Sequence, residues 1–159
     1  MPCPGNDNFD PQNSHVIPAL MRRMHEAKEA GAETVELWGT GKPLREFLHV
    51  DDLADAVVLL LGRHVSGEPV NVGSSLEVSI ADLARLVARV VGYRGRILFD
   101  PTKPDGTPRK VLGSQRVRSL GWQPRISLED GLAEMYRAWR SRNATTQPQL
   151  RRAMERVAG

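Results

Sequence analysis

Helix-like and strand-like periodicities take turns along this chain, and that alternation confines it to folds whose strands are joined through helices. From Ser14 or His15 to Ala30, apolar Ile17, Leu20, Met21 and Met24 recur three and four apart, with Pro18 tolerated in the first turn and Gly31 as the stop. Thr34–Trp38 reads as a strand, Gly39–Pro43 as a turn, and Arg45–Val50 as a second strand. Asp51 or Asp52 then caps a helix over Leu53–Leu61, whose nearly uniform apolar far half predicts burial on more than one face. Pro69–Val72, closed by Gly73, reads as a short strand covered on both sides, as in a parallel sheet.

The pattern repeats towards the carboxy terminus. Ser79 with Asp82 resembles a capping box that opens a helix to Val91, with Ile80, Leu83, Leu86, Val87, Val90 and Val91 as its stripe and Gly92 as its end. Arg96–Phe99 is a strand that runs into an irregular loop, Asp100 to Lys110, stiffened by three prolines. Ser114–Leu120 is a short helix, and Ser127 caps a last helix from Leu128 to about Arg140. Beyond Asn143 the pattern breaks, and residues 144–159 read as a basic, weakly ordered tail. Residues 1–14, rich in Pro, Gly, Asn and Asp, read as a loop. The expected fold is α/β, with strands too few to complete the sheet that the buried ones require.

Composition narrows the function classes. A chain of 159 residues, 40% hydrophobic, can bury one core of ordinary size, and 14 Gly with 11 Pro exclude a helical bundle. The net charge of +3 draws on a tail, Arg137–Arg156, that holds six arginines. Eight scattered aromatics do not form the basic, aromatic-interleaved face of a nucleic-acid binder, whereas a phosphate-bearing small molecule needs only about two or three aimed cations. One cysteine, Cys3, implies a reducing compartment. The start has no signal-peptide pattern, and the longest apolar run, Ala56–Leu61, is too short for a bilayer, so a cytoplasmic chain without a membrane partner is expected.

Four places can carry chemistry. His15 sits at the mouth of a helix, where an anion is favoured and an imidazole exchanges protons near neutral pH; a capping or surface histidine is the competing reading. Arg23, two turns later, shares that side of the helix and is equally well read as part of a solvated basic face. Trp38 and Arg45 flank a glycine turn, fit to stack a base and clamp a phosphate, or else to form a hairpin whose Trp plugs the core. The proline-stiffened loop presents Lys103, Asp105, Arg109 and Lys110, preorganised cations that lose less entropy on meeting a diphosphate.

In order along the chain stand Asp7-Asn8-Phe9, Asn13-Ser14-His15-Val16-Ile17-Pro18, Trp38-Gly39-Thr40-Gly41, Arg45-Glu46-Phe47-Leu48-His49-Val50-Asp51-Asp52, Asn71-Val72-Gly73 and Lys103-Pro104-Asp105-Gly106-Thr107-Pro108-Arg109-Lys110. Together they resemble, from about Asp7 to Trp139, the carboxy-terminal part of the GDP-L-fucose synthase family of extended short-chain dehydrogenases/reductases. The resemblance implies a few Rossmann-type sheet elements, at about residues 45–73, beside the smaller mixed α/β substrate-binding domain, over residues 1–143. It implies an NADPH-dependent epimerase/reductase that converts GDP-4-keto-6-deoxy-D-mannose to GDP-L-fucose, homodimeric when complete. By position, His15 matches the epimerisation acid that also lies beside the nicotinamide. Arg23, Trp38, Arg45 and Asp105 match residues that bind the GDP-sugar, and Lys110 a phosphate-contacting lysine.

The family's glycine-rich dinucleotide turn, its Ser and Tyr-x-x-x-Lys reduction site and its catalytic cysteine belong to an amino-terminal half without counterpart here, and Cys3 is not that cysteine. Gly113 replaces a usual acidic residue. The expectation is therefore a chain that needs its Rossmann half, or an intact homologue, as partner to turn over. The alternatives are a non-catalytic GDP-sugar-binding or pairing module, a non-functional remnant, or another nucleotide-sugar epimerase/dehydratase.

Overall fold

The computed structural model describes residues 8–9, 14–63 and 67–157, with side chains as far as Asn143; most of the expected loop over residues 1–14, and Cys3 with it, lies outside the described residues. The elements run α1 (Val16–Glu29), β1 (Thr34–Trp38), β2 (Leu44–Glu46), α2 (Val50–Gly62), β3 (Glu77–Ser79), α3 (Ile80–Val91), β4 (Arg96–Asp100), β5 (Arg109–Lys110), α4 (Gln115–Ser119) and α5 (Leu128–Val157).

Helix α3 shows why these residues fold as they do. Ser79 Oγ accepts from Asp82 N at 3.0 Å and donates to the Asp82 carboxylate at 2.6 Å, so the capping serine is engaged twice. Two further donors of the first turn go outward: Ile80 N donates to Pro43 O at 3.0 Å and Ala81 N to Gly41 O at 2.9 Å, hooking the 39–43 turn onto the helix start. Gly92, left-handed at φ 78°, ends the helix. Its apolar stripe, Leu83, Ala84, Val87 and Val91, packs with Met21 and Met24 of α1, Leu132 and Met135 of α5, and Val35 and Leu37 of β1. Each large side chain so buried contributes about 1.5–3 kcal/mol.

Two small sheets flank this core. β1 pairs with β4 in parallel, Thr34 opposite Arg96 through Trp38 opposite Asp100. In the other, β2 is central, antiparallel to β3 and parallel to β5. β1 and β2 do not pair, so the Trp38-to-Arg45 segment is not a hairpin.

Several elements differ from the sequence reading. The second strand is shorter, Leu44–Glu46, because His49 rather than Asp51 or Asp52 caps α2: its Nδ1 accepts from Asp51 N at 3.2 Å. Asp52, 3% exposed, accepts instead from Arg125 N and Ile126 N, both at 3.0 Å, and ties α2 to the approach to α5. The apolar half of α2 is buried on one face only, where Ala56 meets Val117 and Trp122. Leu53, Val57, Val58 and Leu61 are exposed, Leu61 at 75%, since no described residue covers that side. Residues 69–72 form no strand, for no ladder partner lies beside them among the described residues. α5 continues past Asn143 as backbone helix to Val157, consistent with the helix-favouring Ala, Gln, Leu, Arg and Met content there. Among the described residues no helix is long and apolar enough to cross a membrane.

Candidate functional site

A cleft of about 700 Å³ opens at the amino-terminal end of α1 and is lined by His15, Val16, Arg45, Glu46, Leu53, Gly73, Lys110 and Leu112, among others. His15 occupies the cap position without a side-chain cap bond, leaving its exposed imidazole at the cleft mouth. The helix start leaves the amides of Val16 and Ile17 without helical acceptors, Pro18 contributes no N–H, and no acidic residue sits in the first turn. That end of the helix dipole therefore favours an anion.

Two cations converge on the same cleft. Arg45 and Lys110 are register partners on the parallel strands β2 and β5. Among the described residues neither enters an ion pair; Arg45 donates from Nη1 to its neighbour's carbonyl, Leu44 O, at 2.8 Å. Arg109, one residue before Lys110, faces the opposite way, as strand alternation requires, and is bound by Glu77 of β3. The Arg109 hydrogen bond holds the Glu77 carboxyl below the usual range, and Glu77 raises Arg109 in turn. Of the cations in the stiff loop, Lys110 lines the cleft and Arg109 does not.

The remaining candidates lie outside the cleft lining. Trp38 does not plug the core: it is 65% exposed at the end of β1, with Lys103 Nζ 5.9 Å from its ring centre. Asp105 accepts from Thr40 N at 2.6 Å and from Thr40 Oγ1 at 2.7 Å, stapling the loop to the glycine turn. Those bonds, the hydroxyl's first and the amide's next, lower the Asp105 carboxyl below its ordinary range. Gly39, at φ 84°, is required there because a Cβ would run into the Asp105 carboxylate. The loop and the cleft meet at Arg45: a Cβ placed on Gly106, next to Asp105, would lie 3.9 Å from Arg45 Nη2. Arg23 reaches neither region; its Nη1 donates to Glu36 O at 2.9 Å and fastens α1 to β1.

One cleft residue escaped the sequence reading. Glu46 accepts from Ser75 N at 2.5 Å and from Leu112 N at 2.8 Å, bonds that no local pattern announces.

Residues 3–73 match the model of the NAD dependent epimerase/dehydratase family. The chain is 63% identical over 131 residues to GDP-L-fucose synthase 1 of Arabidopsis thaliana, covering 82% of this chain and 41% of that protein. It is 52% identical over 140 residues to the GDP-L-fucose synthase of Escherichia coli (strain K12), covering 82% and 44%. Among solved structures, a GDP-L-fucose synthetase from Naegleria fowleri bound to NADP superposes with a TM-score of 0.77 at 28% identity, covering 87% of this chain and 44% of that one. The chain thus spans less than half the length of the curated relatives it matches. Its fold carries the parallel strand pairs and helices of the Rossmann-like epimerases, as an incomplete α/β domain. In sequence and in fold, this chain is similar to the GDP-L-fucose synthases, over less than half of their length.

Proposed function

We propose that this chain forms the wall that grips the GDP-sugar in an NADPH-dependent epimerase/reductase acting on GDP-4-keto-6-deoxy-D-mannose. The observation that carries this reading is the convergence of His15, Arg45 and Lys110 on one cleft at a helix start free of acidic residues. A diphosphate carries the charge and the acceptor oxygens that a guanidinium, an ammonium and outward amides satisfy together. Trp38, exposed at the end of β1 beside Lys103 of the stiff loop, offers a flat apolar face for a base or ribose.

The protons on the sugar carbons next to a ketone are acidic because the anion formed by their loss is delocalised onto the carbonyl oxygen. Reprotonation from the opposite face inverts the carbon. His15, unbonded at its cap position and open to the cleft, is placed to deliver that proton. By its matched position in the family His15 would also lie beside the nicotinamide, and NADPH, when bound, would supply the hydride for the ketone.

The rest of the dinucleotide site is assigned to a Rossmann half supplied by family chain outside these residues. The bare apolar side of α2 and the unpaired segment at residues 69–72 support such a partner, because both present surface that a further sheet would cover. Calorimetric titration with GDP and, separately, with NADPH tests the reading. GDP binding without NADPH binding is expected. Absence of GDP binding would end the diphosphate assignment, and NADPH binding to this chain by itself would end the division of labour.

A further inference from the structure

We propose that Glu46 is a positioning residue for this cleft: its carboxylate gathers the chain segments of the wall shared with His15 and so sets where Arg45 and Lys110 stand. This role deepens the diphosphate reading above and rests on it.

Three segments meet at Glu46. Its own strand carries Arg45 one residue before it, and both line the cleft. Oε1 accepts from Ser75 N at 2.5 Å and holds the 72–75 segment, which lines the cleft through Val72 and Gly73. Oε2 accepts from Leu112 N at 2.8 Å and holds the chain two residues beyond Lys110, where Leu112 lines the cleft as well. Neither residues 71–76 nor 111–114 belong to a strand or helix, so no regular ladder fixes them. The two Glu46 bonds take that place, joined at Ser74 by Arg118 Nη2, which donates to its carbonyl at 2.7 Å.

Two backbone details show that the approach is built in. Ser75 stands at φ 59°, a left-handed conformation that a serine keeps only when its surroundings impose it. At Gly73 any Cβ would run into Glu46 Oε1 and come within 2.9 Å of Ser114 Oγ, so glycine alone lets the segment lie this close. The chemistry also selects a carboxylate, since two amide donors need two acceptor oxygens. A carboxamide offers one oxygen and turns an NH₂ donor toward the other amide.

The test compares Glu46→Gln with Val87→Ala, a core truncation on α3 outside the cleft lining, in the full chain. GDP affinity, amide hydrogen exchange and melting are measured for each. Glu46→Gln should speed exchange at the Ser75 and Leu112 amides and weaken GDP binding about tenfold, the loss of one charged hydrogen bond. Val87→Ala should lower the melting temperature at least as far while leaving GDP affinity and both amides unchanged.

Wild-type protection of Ser75 and Leu112 in Glu46→Gln would overturn the role. So would an equal loss of GDP affinity in Val87→Ala, which would reduce Glu46 to general stability. If the wild-type chain binds no GDP, the diphosphate reading falls by itself. Positioning is then decided by the NMR signals of the Arg45 guanidinium and the Lys110 ammonium: movement in Glu46→Gln but not in Val87→Ala upholds it, and no movement sinks it.

Discussion

Arg45 and Lys110 stand opposite each other on adjacent parallel strands, with backbones about 4.8 Å apart. Like charges placed opposite one another in a sheet destabilise it, and neither of these has a carboxylate partner among the described residues. A diphosphate between them would relieve that repulsion.

Removing either cation should therefore weaken GDP. Arg45→Ala and Lys110→Ala are each expected to raise the dissociation constant about 10- to 100-fold by calorimetry, the range for one charged hydrogen bond. Arg45→Lys should recover only part of the loss, because an ammonium lacks the planar fork. Wild-type affinity in both alanine variants would remove the cleft as the binding place.

Asp105 should titrate at a lower pH than an ordinary aspartate, because the Thr40 hydroxyl and then the Thr40 amide favour its charged form. A carboxyl whose folded value is depressed supports the fold above its unfolded value and loses that support as pH falls through the folded one. Carboxyl carbon NMR should show a depressed midpoint that rises in Thr40→Ala. An unshifted midpoint in the wild type would contradict the staple.

His25, half-buried at the edge of the core, predicts a second acid-side effect. Its Nδ1 lies 2.9 Å from the Tyr136 hydroxyl and its ring meets Trp139 edge-on, so α1 and α5 close around it. Burial, the first cause, lowers its proton affinity; Lys28 and Arg140 act the same way, while Glu29 and Glu26 oppose them. The unfolded chain then binds the proton more readily, so stability is full above about pH 6.5 and declines as pH falls through the lower folded value. Urea midpoints measured between pH 7.5 and 4.5 should fall over that window, and His25→Phe should flatten the decline.

The two sides of α2 should respond differently to truncation or charge. Trp122→Ala, on the buried side with Ala56, should cost about 3–5 kcal/mol in urea unfolding. Val58→Asp and Leu61→Asp, on the bare side, should change stability by less than about 0.5 kcal/mol and lessen self-association in sedimentation. Strong destabilisation by either aspartate would show that something in this chain covers the face.

What sequence could read here was local. The capping serines of α3 and α5, the apolar stripes and the glycine stops each act within one turn, and α1, β1, α3 and β4 stand where periodicity placed them to within a residue or two. The misread places depend on partners far along the chain. Glu46 bonds to residues 29 and 66 positions away, and Asp52 left its expected capping role for amides 73 and 74 positions away. Residues 69–72 read as a strand on composition, but a strand exists only with a neighbour to pair with. Residue chemistry singled out the loop and the helix mouth, and Lys110 from the one and His15 from the other line a single cleft. Only the register of β2 with β5 shows that Lys110 and not Arg109 joins Arg45.

The hook between the 39–43 turn and the start of α3 ties recognition to folding. Because two amides of a core helix end on turn carbonyls, fraying α3 releases the turn that holds Asp105 and, through the stiff loop, slackens the ground beneath Arg45. A ligand held at Arg45 would in return slow the opening of the first turn of α3.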